Sequence, residues 1–188
     1  TKLLSISIIL SIIFSFSFVY LNSREAKAAT ETIGLVRQDC TGYSNCFTSL
    51  SAWEAAYGGI SFGACLAGDL VCADQIAIAQ IDGAWTNPDT TAVTIDGWTT
   101  DATRYIRIYT TTAARHSGKW DDIKYRMSND NVVSGLIDIR EQYVRIEGLQ
   151  LSGQSGGSIQ TVIGLNFSST TAPSFFVEIS KNIIRKHA

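Results

Sequence analysis

Tyr105, Arg107 and Tyr109 alternate with Ile106 and Ile108, so in an extended chain all three project from one face of a single strand. Trp98 and Trp120 fall in loops on either side. Rings spaced along a sheet can stack on sugars, burying their apolar faces while polar groups take the hydroxyls. These five residues are the candidate carbohydrate contacts. The competing expectation is that the rings cover the wall of the domain and stack on the neighbouring layer of chain.

Other residue types offer less chemistry. A glycoside hydrolase needs two neighbouring carboxyl groups, one to protonate the leaving oxygen and one to activate water or attack. The pair Asp121-Asp122 is the one to weigh, and its setting in the loop Trp120–Lys124 reads as a solvated turn. A calcium-dependent lyase needs several oxygens on one face, because calcium takes six to eight ligands. Asp138, Arg140, Arg145, Glu147 and Glu178 occupy outward positions, and their signs are too mixed for that. The two histidines are His116, between Arg115 and Ser117 in a loop, and His187 near the chain end. His116 is expected to take a surface or loop-packing role. No catalytic residue, metal site or cofactor is assigned. Asn166-Phe167-Ser168 is a formal glycosylation sequon, expected to be silent.

Cys40, Cys46, Cys65 and Cys72 are the four cysteines. An even count in an exported chain implies disulfides, and four cysteines allow three pairings. Cys40 with Cys46 and Cys65 with Cys72 would close two short loops and is the favoured pairing. A metal site is the alternative, although the spacings are not Cys-x-x-Cys and no histidine lies close in sequence.

Export is read from the first residues. Lys2 precedes an apolar run from Leu3 to Leu21, interrupted only by serines, and Ala26-Lys27-Ala28 supplies an Ala-x-Ala site. That is the pattern of a secretory signal, with cleavage expected after Ala28. A retained membrane anchor is the alternative, since the run approaches the roughly 20 residues that span a bilayer. Domain boundaries follow: 1–28 signal peptide and 29–188 the exported domain, with a capping region about 30–75 and coils about 76–188. The opening threonine and an uncapped strand at the other end lead us to expect a fragment of a longer chain.

Without residues 1–28 the balance is 12 basic to 16 acidic residues, and it is uneven. Arg37 stands alone against nine acids between Thr30 and Asp101, whereas eleven basic residues face seven acids from Ala102 onward. The basic residues are spread out, not clustered, so a nucleic-acid footprint is not expected.

The elements that would position these side chains are mostly short strands. Ile33, Leu35 and Val36 mark an entry strand. Ser51-Ala52-Trp53-Glu54 matches a capping box, in which Ser51 and Glu54 satisfy free amides at a helix start. Leu50, Trp53 and Tyr57 then share one face of a two-turn helix ended by Gly58-Gly59. Beyond it, alternating runs recur at Gln75–Ile81, Ala92–Trp98, Tyr105–Tyr109, Leu136–Ile139, Tyr143–Ile146, Leu149–Leu151, Ile163–Phe167 and Phe176–Ile179. Period-two alternation says all-β. Tyr143-Val144-Arg145-Ile146-Glu147 superposes on Phe176-Val177-Glu178-Ile179-Ser180 at an offset of 33, and recurrence at such a period is the signature of stacked coils.

The stretches Ala92–Tyr109, Arg115–Trp120 and Tyr143–Leu151, with Leu50–Glu54, resemble uncharacterised secreted right-handed parallel β-helix (pectin-lyase-like) proteins of bacterial and metagenomic origin. The resemblance covers most of residues 47–184. It implies a solenoid whose first coil is capped by the helix at Leu50–Tyr57. The group includes polysaccharide lyases and hydrolases, but a fold does not supply a function. Two readings follow. The first is a non-catalytic secreted or surface module with a polysaccharide or cell-surface glycan as partner, touching the membrane only through its signal peptide. The second is the amino-terminal part of a lyase or hydrolase acting on acidic polysaccharide.

Overall fold

The computed structural model describes residues 28–129, 135–153, 161–166 and 176–186. Residues 1–27 of the expected signal peptide, Phe167 and Ser168 of the sequon, and His187 lie outside them. After β1 (Thr30–Val36) and β2 (Cys46–Phe47) come helix α1 (Leu50–Tyr57), the short helix α2 (Leu70–Ala73) and β3 (Gln75–Ile81). The remaining strands are β4 (Val93–Ile95), β5 (Ile106–Thr110), β6 (Arg126–Asn129), β7 (Ile137–Ile139), β8 (Val144–Glu147), β9 (Gln150–Gly153), β10 (Ile163–Leu165), β11 (Val177–Ser180) and β12 (Ile183–Lys186).

Three sheets result: β11-β8-β5-β3-β1-β2, β10-β7-β4 and β12-β9-β6. Every pairing between these strands is parallel. The chain visits the sheets in turn: β5, β6 and β7 make one circuit, β8, β9 and β10 the next, and β11 and β12 start another. Below them, β3, Asp89 (bridged to Met127) and β4 complete a similar circuit. A face-to-face antiparallel sandwich is thereby excluded. The 33-residue offset is structural, since Val144 pairs with Val177 and Ile146 with Ile179.

Aliphatic side chains stack in columns along the inside. Ala79, Ile108, Ile146 and Ile179 are consecutive partners in one ladder, and the first three are fully buried. Between them the outward row runs Ile78, Arg107, Arg145, Glu178. Strand β6 has no such alternation: in Arg-Met-Ser-Asn only Met127 enters the core, beside its partner Leu151.

Helix α1 closes the β1 end, contacting β1, β2, β3 and β4. The expected capping box is not what starts it. Ser49 is the N-cap, accepting the Ala52 amide at 3.0 Å, so Ser51 lies inside the helix and Glu54 is turned elsewhere. Asp89 adds a second acceptor at this end, taking the Leu50 amide at 2.9 Å, Thr91 N at 3.0 Å and the Tyr125 hydroxyl at 3.2 Å. A carboxylate there also opposes the positive end of the helix dipole. Leu50, Trp53 and Tyr57 are buried as the apolar face requires. Trp53 stacks between Tyr57 and Trp98, at centroid distances of 5.5 and 5.9 Å. It reaches β1 because residue 34 is glycine: a Cβ there would stand 2.6 Å from Trp53 Cδ1.

The cysteines form Cys40–Cys46 and Cys65–Cys72, the favoured local pairing, with Cα atoms 5.5 and 5.8 Å apart. No described helix is long and apolar enough to cross a membrane.

Candidate functional site

Strand alternation places Tyr105, Arg107 and Tyr109 outward, half-buried, between the buried Ile106, Ile108 and Thr110. Parallel stacking then sets Arg145 directly beside Arg107, and Glu147 beside Tyr109. Glu178 follows Arg145 on β11. Two like charges facing each other across a sheet repel. The neighbours moderate this. The Arg145 guanidinium lies over the Tyr105 ring, 3.8 Å from its centroid, and Arg107 lies over Tyr109 at 4.4 Å. Such contacts attract through the ring quadrupole.

Glu147 takes most of the remaining cationic attention. Its Oε1 accepts Lys181 Nζ at 2.8 Å and Arg115 Nη1 at 3.2 Å, and its Oε2 stands 3.6 Å from Arg107. Lys181, with Arg115, holds this carboxyl below its usual range. Arg145 is left with Glu178 at 4.0 Å. Four cations, Arg107, Arg115, Arg145 and Lys181, therefore share two acids. Tyr105, Arg107, Arg145, Glu147, Glu178 and Ser180 line an open groove of about 280 Å³ on this face.

The groove is suited to holding an anion against a flat surface. A guanidinium offers planar paired donors that match a carboxylate. Ion pairs this exposed contribute little to stability and exchange readily for a ligand. It is poorly suited to glycoside hydrolysis, which needs a carboxyl held protonated. Glu147 is shifted the other way. Among the described residues, no three His, Cys, Asp or Glu side chains gather as a metal site would require.

Tyr109 stands beside this groove under Arg107 without lining it, and the other two candidate contacts lie elsewhere. Trp98 is only 6 % exposed. Its ring stacks on Trp53, and its Nε1 donates to Glu54 Oε1 at 2.8 Å, so it offers no face to a sugar. Trp120 is half-buried under the Arg185 guanidinium, 3.5 Å from its centroid, with Nε1 on Asp122 Oδ1 at 2.8 Å. Neither lines the groove. His116 packs its loop on a later coil, Nε2 lying 3.0 Å from the Lys181 carbonyl while Nδ1 accepts the Gly118 amide. Asp121 caps its own turn through the Ile123 amide, and Asp122 is largely exposed, as a solvated turn requires. Gly153-Gln154-Ser155-Gly156-Gly157 spells a nucleophile-elbow pattern, but residues 154–160 lie outside the described residues.

Sequence reasoning did not join Arg145, Glu147 and Lys181 to Tyr105 and Arg107. The available signal was the alignment of the β5 and β8 patterns, which a longer intervening loop conceals. No family model, curated protein or solved structure matches the chain.

Proposed function

We propose that the chain is an exported right-handed parallel β-helix of the pectin-lyase-like kind, which binds an acid-bearing polysaccharide or cell-surface glycan without cleaving it. The observation that carries this reading is the Arg107–Arg145 row, flanked by Tyr105 and Tyr109 and surrounded by two more cations than anions. An acidic sugar unit has an apolar ring face for the tyrosines and a carboxylate for the arginines. A solenoid wall repeats such contacts along a polymer.

Other features support the remaining parts. Parallel strands joined by crossovers are right-handed in nearly all proteins. The signal-like leader and two disulfides both fit an oxidising compartment outside the cytoplasm. At the far end of the stack, Leu165, Ile179 and Ile184 are 49, 40 and 53 % exposed, although their ladder partners Ile139, Ile146 and Leu151 are buried. A further layer laid over β10, β11 and β12 would cover them.

The test is calorimetry of the chain with alginate and polygalacturonate against neutral dextran. Binding to the acidic polymers is expected, weakening as salt screens it. Arg145→Ala should lower affinity about tenfold, the equivalent of one charge-assisted hydrogen bond. Equal binding to dextran, or release of new polymer ends with time, would refute the reading.

A further inference from the structure

Glu54 belongs to the buried face of α1, yet it is a carboxyl group, 9 % exposed. Its Oε1 accepts Trp98 Nε1 at 2.8 Å and the Asp96 amide at 3.2 Å. Its Oε2 is buried with no hydrogen-bond partner. From the next circuit, Glu141 reaches the same corner, its Oε1 accepting the Trp98 amide at 2.8 Å. Carboxyl groups from two different layers thus grip residues 96–98 from both sides.

Among the described residues, none supplies a counter-charge to Glu54. Asp96 is itself acidic, and Arg140, the cation at this corner, is directed onto Asp96 and Asp138. Of the strands packed on α1, β1 brings Glu31 and the rest bring no charged residue. Asp89 occupies the other end of the helix. A buried carboxylate without a cation is costly, whereas the protonated acid is tolerated.

The corner also fastens the segment that follows α1. The Thr99 amide donates to the Gly68 carbonyl at 3.0 Å, and the Leu70 amide donates to the Thr99 carbonyl at 3.1 Å. Gly68 lies so close that a Cβ would stand 2.7 Å from the Gly97 carbonyl oxygen. Anything that pushes residues 96–99 away from α1 therefore unzips Gly58–Leu70 from the coils.

We propose that Glu54 and Glu141 form a proton-operated latch, closed while Glu54 is protonated and loosened when both are ionised, freeing Gly58–Leu70 from the solenoid end. Burial raises Glu54 to about 7, with the hydrogen bonds from Trp98 and Asp96 opposing and the charges of Glu141 and Asp96 reinforcing. Burial raises Glu141 too. A carboxyl raised in the folded state strengthens it fully below its ordinary value, and that contribution is lost as pH climbs through the raised one. The latch is thus shut in acid and weakens toward pH 7 and above. The Cys65–Cys72 bond keeps the released segment from unravelling further.

Amide hydrogen exchange at Thr99 and Leu70, corrected for intrinsic pH dependence, measures the opening. Taking Glu54 at about 7 closed and 4.5 open, the opening constant should rise roughly 70-fold between pH 5 and pH 8. Core amides of β8, which exchange only when the whole domain unfolds, should stay far more protected than Thr99 and Leu70 at every pH. In Glu54→Gln the rise should fall to the smaller contribution of Glu141, and in Glu54→Gln/Glu141→Gln it should vanish. A flat wild-type profile, or an unchanged slope in Glu54→Gln, overturns the proposal. Should the variants fail to fold, carbon-13 titration of the wild-type Glu54 carboxyl decides the matter: a midpoint near 7 supports the latch, and one near 4.5 overturns it.

Discussion

Truncating Ile146 and Ile179 to alanine separates coil stacking from any other way of burying the same residues. Both belong to the column Ala79-Ile108-Ile146-Ile179, but Ile146 has coils on both sides and is fully buried, while Ile179 is 40 % exposed. Each change removes three carbons, a transfer loss of about 2.4 kcal/mol when burial is complete. At Ile146 the stacked neighbours cannot close the gap, and a residual cavity of roughly 80 Å³ adds about 2 kcal/mol. Ile146→Ala should therefore cost about 4 kcal/mol. At Ile179 water fills the space and only the buried share of the transfer energy is lost, about 1.4 kcal/mol. Urea unfolding with the disulfides intact reads the contrast. For a slope of about 2 kcal/mol per molar, the midpoints should fall by about 2 M and 0.7 M. Equal shifts, or a larger one for Ile179→Ala, would refute the stacked-column reasoning.

Other perturbations test separate parts of the molecule. Gly34→Ala should displace Trp53 and red-shift its emission while leaving the far coils intact, because the new methyl would meet the indole at 2.6 Å; an unchanged spectrum would show that the helix does not seat on β1. Replacing Cys40 and Cys46 by serine should cost about 2 kcal/mol in unfolding free energy, the entropy of a loop this short. Burial opposes ionisation of Asp101, yet the Thr103 and Arg104 amides and side chains hold its carboxyl down to about 2. Its contribution is therefore present above its ordinary value and lost as pH falls toward 2, so Asp101→Asn should flatten the acid limb of the stability profile.

The solenoid was legible in the sequence where each strand obeys a period of two and each coil has the same length. Val144-Arg145-Ile146 and Val177-Glu178-Ile179 meet both conditions, and their offset is the stacking register. Strand β6 meets neither, since sheet position and one methionine hold it in place where no aliphatic alternation exists. The helix was visible from Leu50, Trp53 and Tyr57, but its start was not. Ser49 and Ser51 are equally good caps locally, and the choice is made by tertiary demand for Glu54 at Trp98. The same demand hides Trp98: an indole beside Asp-Gly reads as a loop ring until a carboxyl from 44 residues earlier claims its N–H. The groove was half legible. One strand shows Tyr105, Arg107 and Tyr109, but Arg145 joins them only through pairing across a loop of different length from the next.

The claim on which the functional account rests is that the outer face of the six-stranded sheet, and no other, receives the glycan. Hydroxyl-radical labelling with and without saturating alginate tests it side chain by side chain. Labelling of Tyr105, which lines the groove, should fall when the polymer binds, while Tyr43, 49 % exposed and outside the groove, keeps its reactivity. Undiminished labelling of Tyr105 under conditions where alginate is bound would contradict it.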